Sequence, residues 1–256
     1  MVDIIEKSGG DIVKFIGDAI LIAWELKGTK EETVVSACLG CFKLLERLGD
    51  HQVSIPGEEE KEKFDLSMHI GLAVGESHDV HVGTEERMEY FLGGKTVKKA
   101  GLLVNVAQKK EIAISGECLH FLQVFQEATQ IELEVEGTVG GIIIRKLEIP
   151  TDLKTGSGIT YNFSARNVPE PPTPKKVYQR YINECVVHRI LSLGTTDFER
   201  MQMINELRKL TVMFIKIEIP QKHSLQILST MQSTMEVVQG VLKVYNSFLS
   251  SKVNIK

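Results

Sequence analysis

Apolar positions in this chain come in short runs whose spacing changes from helical to alternating and back. Residues 1–7 (Met-Val-Asp-Ile-Ile-Glu-Lys) read as the last turns of an amphipathic helix with Ile4 and Ile5 on its apolar side. Two β-prone runs, 12–16 and 19–24, meet at Gly17-Asp18, and a Gly-Asp pair between such runs signals a hairpin. From 31 to 48 the apolar residues Val34, Val35, Cys38, Leu39, Phe42, Leu45 and Leu48 recur at three and four, the mark of a helix with one buried face. Residues 64–75 alternate as a strand, 111–115 read as a short buried strand, and 116–125 as a short helix. The runs 131–136 and 141–148, separated by Gly137 and Gly140-Gly141, predict a closing hairpin.

Beyond residue 149 the pattern loosens. Residues 150–176 hold five of the seven prolines, so the stretch reads as an extended linker. Helical spacing returns over 177–193, a docking helix. A strand pattern follows at 207–219 and a long helix at 225–249, with Leu225, Leu228, Met231, Met235, Val238, Leu242, Tyr245 and Leu249 on one side. The predicted organisation is therefore a domain at 1–149, a linker and docking helix at 150–206, and the start of a second domain at 207–256.

Composition narrows the function classes. A chain of 256 residues with 43% hydrophobic and 25% charged residues is ordinary for a globular protein. A formal net charge of −4 argues against a nucleic-acid surface, which needs a basic excess. No apolar run reaches membrane-spanning length and no signal pattern opens the chain, so the reading is cytoplasmic with no membrane span. The cysteines Cys38, Cys41, Cys118 and Cys185 are too scattered for a disulfide framework, and Cys38-x-x-Cys41 on a helix reads as core packing. His78 and His81, three apart on a strand, face opposite ways and make no metal pair. His69 reads as an ordinary strand histidine. No glycine cluster has the Walker spacing.

The candidate chemistry begins at Asp18. A carboxylate held at the tip of two buried strands is fixed by them and open to solvent, which suits a cation. Asp is also a common turn residue for reasons of backbone conformation alone.

The string Gly-Gly-Asp-Ile-Val-Lys-Phe-Ile-Gly-Asp-Ala (9–19) resembles the hairpin of class III nucleotidyl cyclases, most of all the first catalytic domain of the soluble (type 10) adenylate cyclases. Two further stretches agree: Ile-Gly-Leu-Ala-Val-Gly at 70–75, and 82–102, where Gly83, Arg87, Tyr90, Gly94, Val97 and Ala100 fall in matching places. The resemblance implies an α+β, ferredoxin-like cyclase domain, incomplete in lacking its first strand and helix, followed by the start of a second. It also implies conversion of ATP to cyclic AMP and diphosphate, with two divalent ions, Mg²⁺ or Mn²⁺, per complete site. Asp18 matches one of the two metal carboxylates.

Departures from the family pattern carry equal weight. Lys98 and Leu102 stand where catalytic halves place an Asn and an Arg, and in the soluble cyclases these come from the second domain. Lys14 matches a bicarbonate-binding lysine, but Gly101 stands where its arginine partner would be, leaving a planar anion without its bidentate donor. Lys252 matches an adenine-recognising lysine. Lys216 in Phe-Ile-Lys-Ile stands where metal-binding cyclase strands carry Asp, a departure that the second domain of the soluble cyclases shares, so this strand cannot supply the missing metal aspartate. The implied partners are ATP, bicarbonate and a second cyclase domain or another cyclase half. The competing reading is a pseudo-cyclase half that binds or dimerises without chemistry, in which the strand at 207–219 takes the place of the missing one and Lys216 pairs with Asp18.

Overall fold

A computed structural model describes residues 1–26, 28–49, 51–54, 63–150, 180–182 and 224–244. In chain order the elements are α1 (Val2–Lys7), β1 (Gly10–Ile16), β2 (Ala19–Trp24), α2 (Lys30–Leu48), β3 (His51–Ser54), β4 (Lys63–Leu66), β5 (Ile70–Leu72), β6 (His78–Gly83) and β7 (Met88–Gly93). There follow α3 (Lys95–Val104), β8 (Ile112–Ile114), α4 (Gly116–Thr129), β9 (Glu132–Thr138), β10 (Gly141–Glu148) and α5 (Ser224–Val244). They divide into two units: the described residues of 1–78 and 92–150 form one, and 79–91 with 180–182 and 224–244 form the other. The mixed helix and strand content is that of an α+β fold.

The first unit is built on a four-stranded sheet in the order β5-β8-β10-β9. β5 runs parallel to β8, and β10 is antiparallel to both β8 and β9. Alternation sends Ile112, Ile114 and Ile144 to one face, where they pack with Val35, Cys38 and Cys41 of α2 and Cys118 and Leu122 of α4. Ala113 and Ile143 point the other way, onto Leu103 of α3 and Ala107. Helices on both faces explain why all three residues of β8 are buried. Burial pushes the Cys38 thiol well up and the Cys41 thiol to about 12, so both stay protonated and serve as small apolar side chains.

Local sequence sets the helix ends. α2 opens with a capping box, in which the Thr29 hydroxyl accepts from Glu32 N–H at 3.2 Å and the Glu32 carboxylate accepts from Thr29 N–H at 3.3 Å. α4 is capped by Ser115, whose hydroxyl accepts from Cys118 N–H. It ends on Gln130 in the left-handed region, φ 56°.

Three sequence expectations change. The single strand over 64–75 is two: β4 pairs with β3 in a separate ribbon, and β5 joins β8. One continuous strand cannot serve both ladders, because Met68 C=O already accepts from Lys110 N–H and opens the second. His69 consequently sits exposed in the break, outside any strand. Within the expected docking helix 177–193, residues 180–182 are turn and bend, and the remainder lies outside the described residues. Of residues 56–63 only Lys63, which opens β4, is described. The proline-rich linker beyond Pro150, the strand 207–219 with Lys216, and Lys252 also lie outside the described residues. No helix among the described residues is long and apolar enough to cross a membrane.

Candidate functional site

The hairpin β1–β2 is anchored at its base and open at its tip. At the base, Ser8 C=O accepts from Trp24 Nε1 at 3.1 Å and from the Ser36 hydroxyl at 2.8 Å, which joins the end of α1 to β2 and α2. Gly9 turns the chain at φ +79°. A Cβ on Gly10 would lie 2.8 Å from the Trp24 ring, so glycine is the residue that lets the indole close over the strand. This is the physical reason for the Ser-Gly-Gly string.

Along the hairpin Gly10 faces Trp24, Ile12 faces Ile22, and Ile16 faces Ala19. One extra residue sits in β1 between Ile12 and Lys14, a bulge at Val13. Because side chains alternate with period two, the bulge brings Asp11, opposite Ala23, and Lys14, opposite Leu21, to the same face. Lys14 is half-buried there. The turn itself is Gly17, at φ +67°, followed by Asp18, which is exposed.

A second exposed surface of the same unit lies on α3. Lys98, Gly101 and Leu102 are all exposed, and their three-and-four spacing puts them on one helix face. Leu102 leaves 57% of its surface in solvent. Gly101 has open space around it, since an added Cβ would meet nothing within 4 Å. Neither crowding nor a left-handed backbone demands glycine at that position. α3 itself is held tightly: a Cβ on Gly71 of β5 would lie 2.4 Å from Ala100 O and 2.5 Å from Val104 N, so helix and strand touch backbone to backbone. The Lys99 ammonium pairs with Glu117 at the start of α4 and, chiefly through that hydrogen bond, holds the Glu117 carboxyl down at about 2.

The structure thus places Asp18 and Lys14 on one hairpin, with Lys98, Gly101 and Leu102 together on α3. Among the described residues no group of three or more His, Cys, Asp or Glu is arranged to hold a metal ion. Asp18 offers one carboxylate, and the described residues do not complete a two-metal site around it.

Sequence reasoning missed the second unit. There β6 and β7 form a two-stranded hairpin, and Val80, Val82 and Phe91 bury against Met231 and Met235 of α5. Gln232 holds Gly83 twice: it accepts from Gly83 N–H at 2.9 Å and donates to Gly83 C=O at 2.6 Å. Gln239 accepts from Thr84 N–H at 3.0 Å. Arg87 donates through Nε and Nη2 to the buried Glu89. Arg87 Nη1 and Gln239 Nε2 are buried with no hydrogen-bond partner among the described residues. The one sequence signal was the pair of methionines on the apolar side of the long helix.

Comparison with known proteins gives a consistent result. The family model described as "Adenylate and Guanylate cyclase catalytic domain" matches residues 1–149. Adenylate cyclase type 10 of Mus musculus is 24% identical over 254 residues, covering 93% of this chain and 15% of that protein. The Homo sapiens protein of the same name is 23% identical over 256 residues, with the same coverage. This chain therefore spans about 15% of the length of the type 10 relatives it matches. Among solved structures, the adenylyl cyclase CyaB from P. aeruginosa is 20% identical with a TM-score of 0.41, covering 58% of this chain and 76% of that one. The guanylyl cyclase domain of the RhoGC fusion protein from the aquatic fungus Blastocladiella emersonii is 19% identical with a TM-score of 0.41, covering 57% and 74%.

Proposed function

This chain belongs to the adenylate and guanylate cyclase catalytic-domain family, and from that premise we propose that it supplies the metal-carboxylate half of a site that converts ATP to cyclic AMP and diphosphate. The observation that carries the reading is Asp18: an exposed carboxylate at the tip of a hairpin whose base is pinned by Ser8, Gly10 and Trp24. Such a group is aimed without being buried, which is what a cation shared with a nucleotide needs. Enzymes of this family generally use divalent metals. Mg²⁺ or Mn²⁺, when bound, would supply charge stabilisation at the phosphates and activation of the attacking hydroxyl.

The chain's own residues also say what must come from elsewhere. The exposed face of α3 carries Lys98 and Leu102 instead of a ribose-orienting Asn and a phosphate-stabilising Arg, so a complementary cyclase domain provides those groups. That domain would follow in the same polypeptide, beginning at 207–256, where Lys252 would stand on the adenine side. It could equally be another cyclase half. The setting would be cytoplasmic. Bicarbonate would find Lys14 but no guanidinium at Gly101, so its activating effect is expected to be weak or absent.

A second reading follows from the incomplete carboxylate set among the described residues: a pseudo-cyclase half that binds a partner and does no chemistry. One experiment separates the two. The purified chain is assayed with Mn²⁺-ATP, alone and mixed with a second catalytic domain from a type 10 relative, and its melting temperature is followed with Mn²⁺ and nucleotide. Cyclic AMP formed only in the mixture and lost with Asp18→Ala supports the half-site. No product together with no ligand-dependent melting shift supports the module, and product from the chain alone overturns the half-site reading.

A further inference from the structure

Two strands paired only with each other hold their direction poorly, and β1–β2 is such a pair: among the described residues neither strand is laddered to a third. What fixes the hairpin is its base. Ile12 and Ile22 lean on Ile4, Ile5 and Leu44, a contact that keeps the hairpin on α1 and α2 but, being apolar, prescribes no angle. The directional contacts converge on one atom. The Ser8 carbonyl oxygen accepts from Trp24 Nε1 of β2 at 3.1 Å and from the Ser36 hydroxyl of α2 at 2.8 Å, so both its lone pairs are used and three elements meet on a single peptide. Ser8 is itself buried, its amide donating to Ile4 C=O at 3.0 Å and its hydroxyl to Ile5 C=O at 2.7 Å.

This joint has no slack. A Cβ on Gly40 of α2 would lie 2.6 Å from the Ser8 hydroxyl oxygen, 2.8 Å from the Ser8 Cβ and 3.7 Å from the Trp24 ring. With Gly10 closed under the indole as well, helix and strands leave no room around Ser8 for one further methyl. Length then magnifies any error at the base. Trp24 and Ala19 stand at opposite ends of β2, a span of ~17 Å at a rise of ~3.4 Å per residue, so a tilt of about 5° at the base would carry the tip through ~1.5 Å. A group that does chemistry has to be held to about 0.5 Å.

We propose, on the reading of Asp18 as a metal carboxylate, that Ser36 and Trp24 are positioning residues: through the Ser8 carbonyl they set the direction of the hairpin and so place the Asp18 carboxylate for its cation, touching neither metal nor nucleotide. Ser36 and Trp24 are uncharged and lie at the far end of the hairpin from Asp18, so their effect is one of geometry. Its signature is a loss of turnover with nucleotide binding retained, because a displaced carboxylate misaligns the reacting groups without removing the contacts that hold ATP.

The full chain is prepared as Ser36→Ala, which deletes one donor to Ser8, and as Trp24→Phe, which keeps an aromatic ring and deletes the other; melting temperatures check that each is folded. Hairpin direction is read without catalysis. In a Cys185→Ser background, spin labels on Ala19→Cys at the tip and Glu46→Cys on α2, both exposed positions, report the tip-to-helix distance by double electron–electron resonance. The distance distribution should shift or broaden in both variants relative to the parent. Mixed with the complementary catalytic domain and Mn²⁺-ATP, each variant should lose about tenfold in kcat while KM for ATP stays within about twofold. Parent-like distances and parent-like kcat in folded variants, with at most a lower melting temperature, would show a clamp that serves stability alone and would overturn the proposal. A parent assembly that forms no cyclic AMP would instead overturn the half-site reading, and the metal-placing role with it, whatever the distances show.

Discussion

Two hairpins of this molecule end in opposite ways. The turn of β1–β2 is two residues long, and its Asp18 stands in solvent. The turn of β6–β7 spans Thr84 to Arg87 and is wrapped by Gln232, Gln239 and Lys243 of a helix that comes much later in the chain. Both tips carry charged residues at turn positions. What separates a turn that positions chemistry from one that positions a neighbour is what covers it, and turn residues alone do not report that.

The comparison breaks most sharply at Asp18. Asp18→Asn keeps the shape of the tip and removes its charge, so cyclic AMP formation by the complete assembly should fall on the order of 10²–10³-fold while the melting curve stays unchanged. A matching loss of stability would show that the open tip holds the fold together instead. At the clasped hairpin the order reverses. Met235→Ala should destabilise the second unit by about 2–3 kcal/mol, read from denaturant unfolding, because it opens a cavity under Val82 and Phe91. The two glutamines then sharpen the picture. Gln232→Met should cost about 1–2 kcal/mol, since Gly83 loses contacts on both its N–H and its C=O. Gln239→Met should lie within about 0.5 kcal/mol of the parent, because Thr84 N–H also reaches Arg87 C=O and the substitution removes an unpaired buried donor. Equal costs would refute this division of labour.

The smallest effect concerns an exposed carboxylate with a fixed cation. Glu117 has its folded value lowered to about 2 by Lys99, so its contribution is present above the unfolded carboxylate range near ~4.3 and is lost as pH falls toward 2. Solvent screening keeps it slight. Lys99→Met should flatten the acid limb of the melting-temperature profile over that window, and an unchanged limb would show that the pair contributes nothing.

Those parts of the fold that depend on neighbours in sequence were legible in it. The hairpin at 10–24, the helix at 30–48 and the closing hairpin at 132–148 follow from period and turn residues, and the cyclase family follows from the string 9–19 with its downstream matches. What the sequence hid was set by distant partners. The break at Ser67–His69 exists because β4 and β5 pair with different strands, a choice invisible to local alternation. The role of Gln232 and Gln239 was hidden for the same reason, since a glutamine on a helix reads as solvated until something is found beneath it. For the candidate site, Asp18 and the exposed positions 98, 101 and 102 lie on elements the pattern identified. The reach of Lys252 and Lys216 falls outside the described residues.

The contact at Gly71 has a mechanical consequence. With carbonyl and amide of α3 seated against strand backbone and no side chain between them, the joint has no soft spacer to absorb displacement. A push delivered to the outer face of α3 by a docking domain would pass into β5 almost without slack, and through its parallel pairing into β8. Helix and strand would move as one lever, and any switching built on α3 would have to turn the sheet with it.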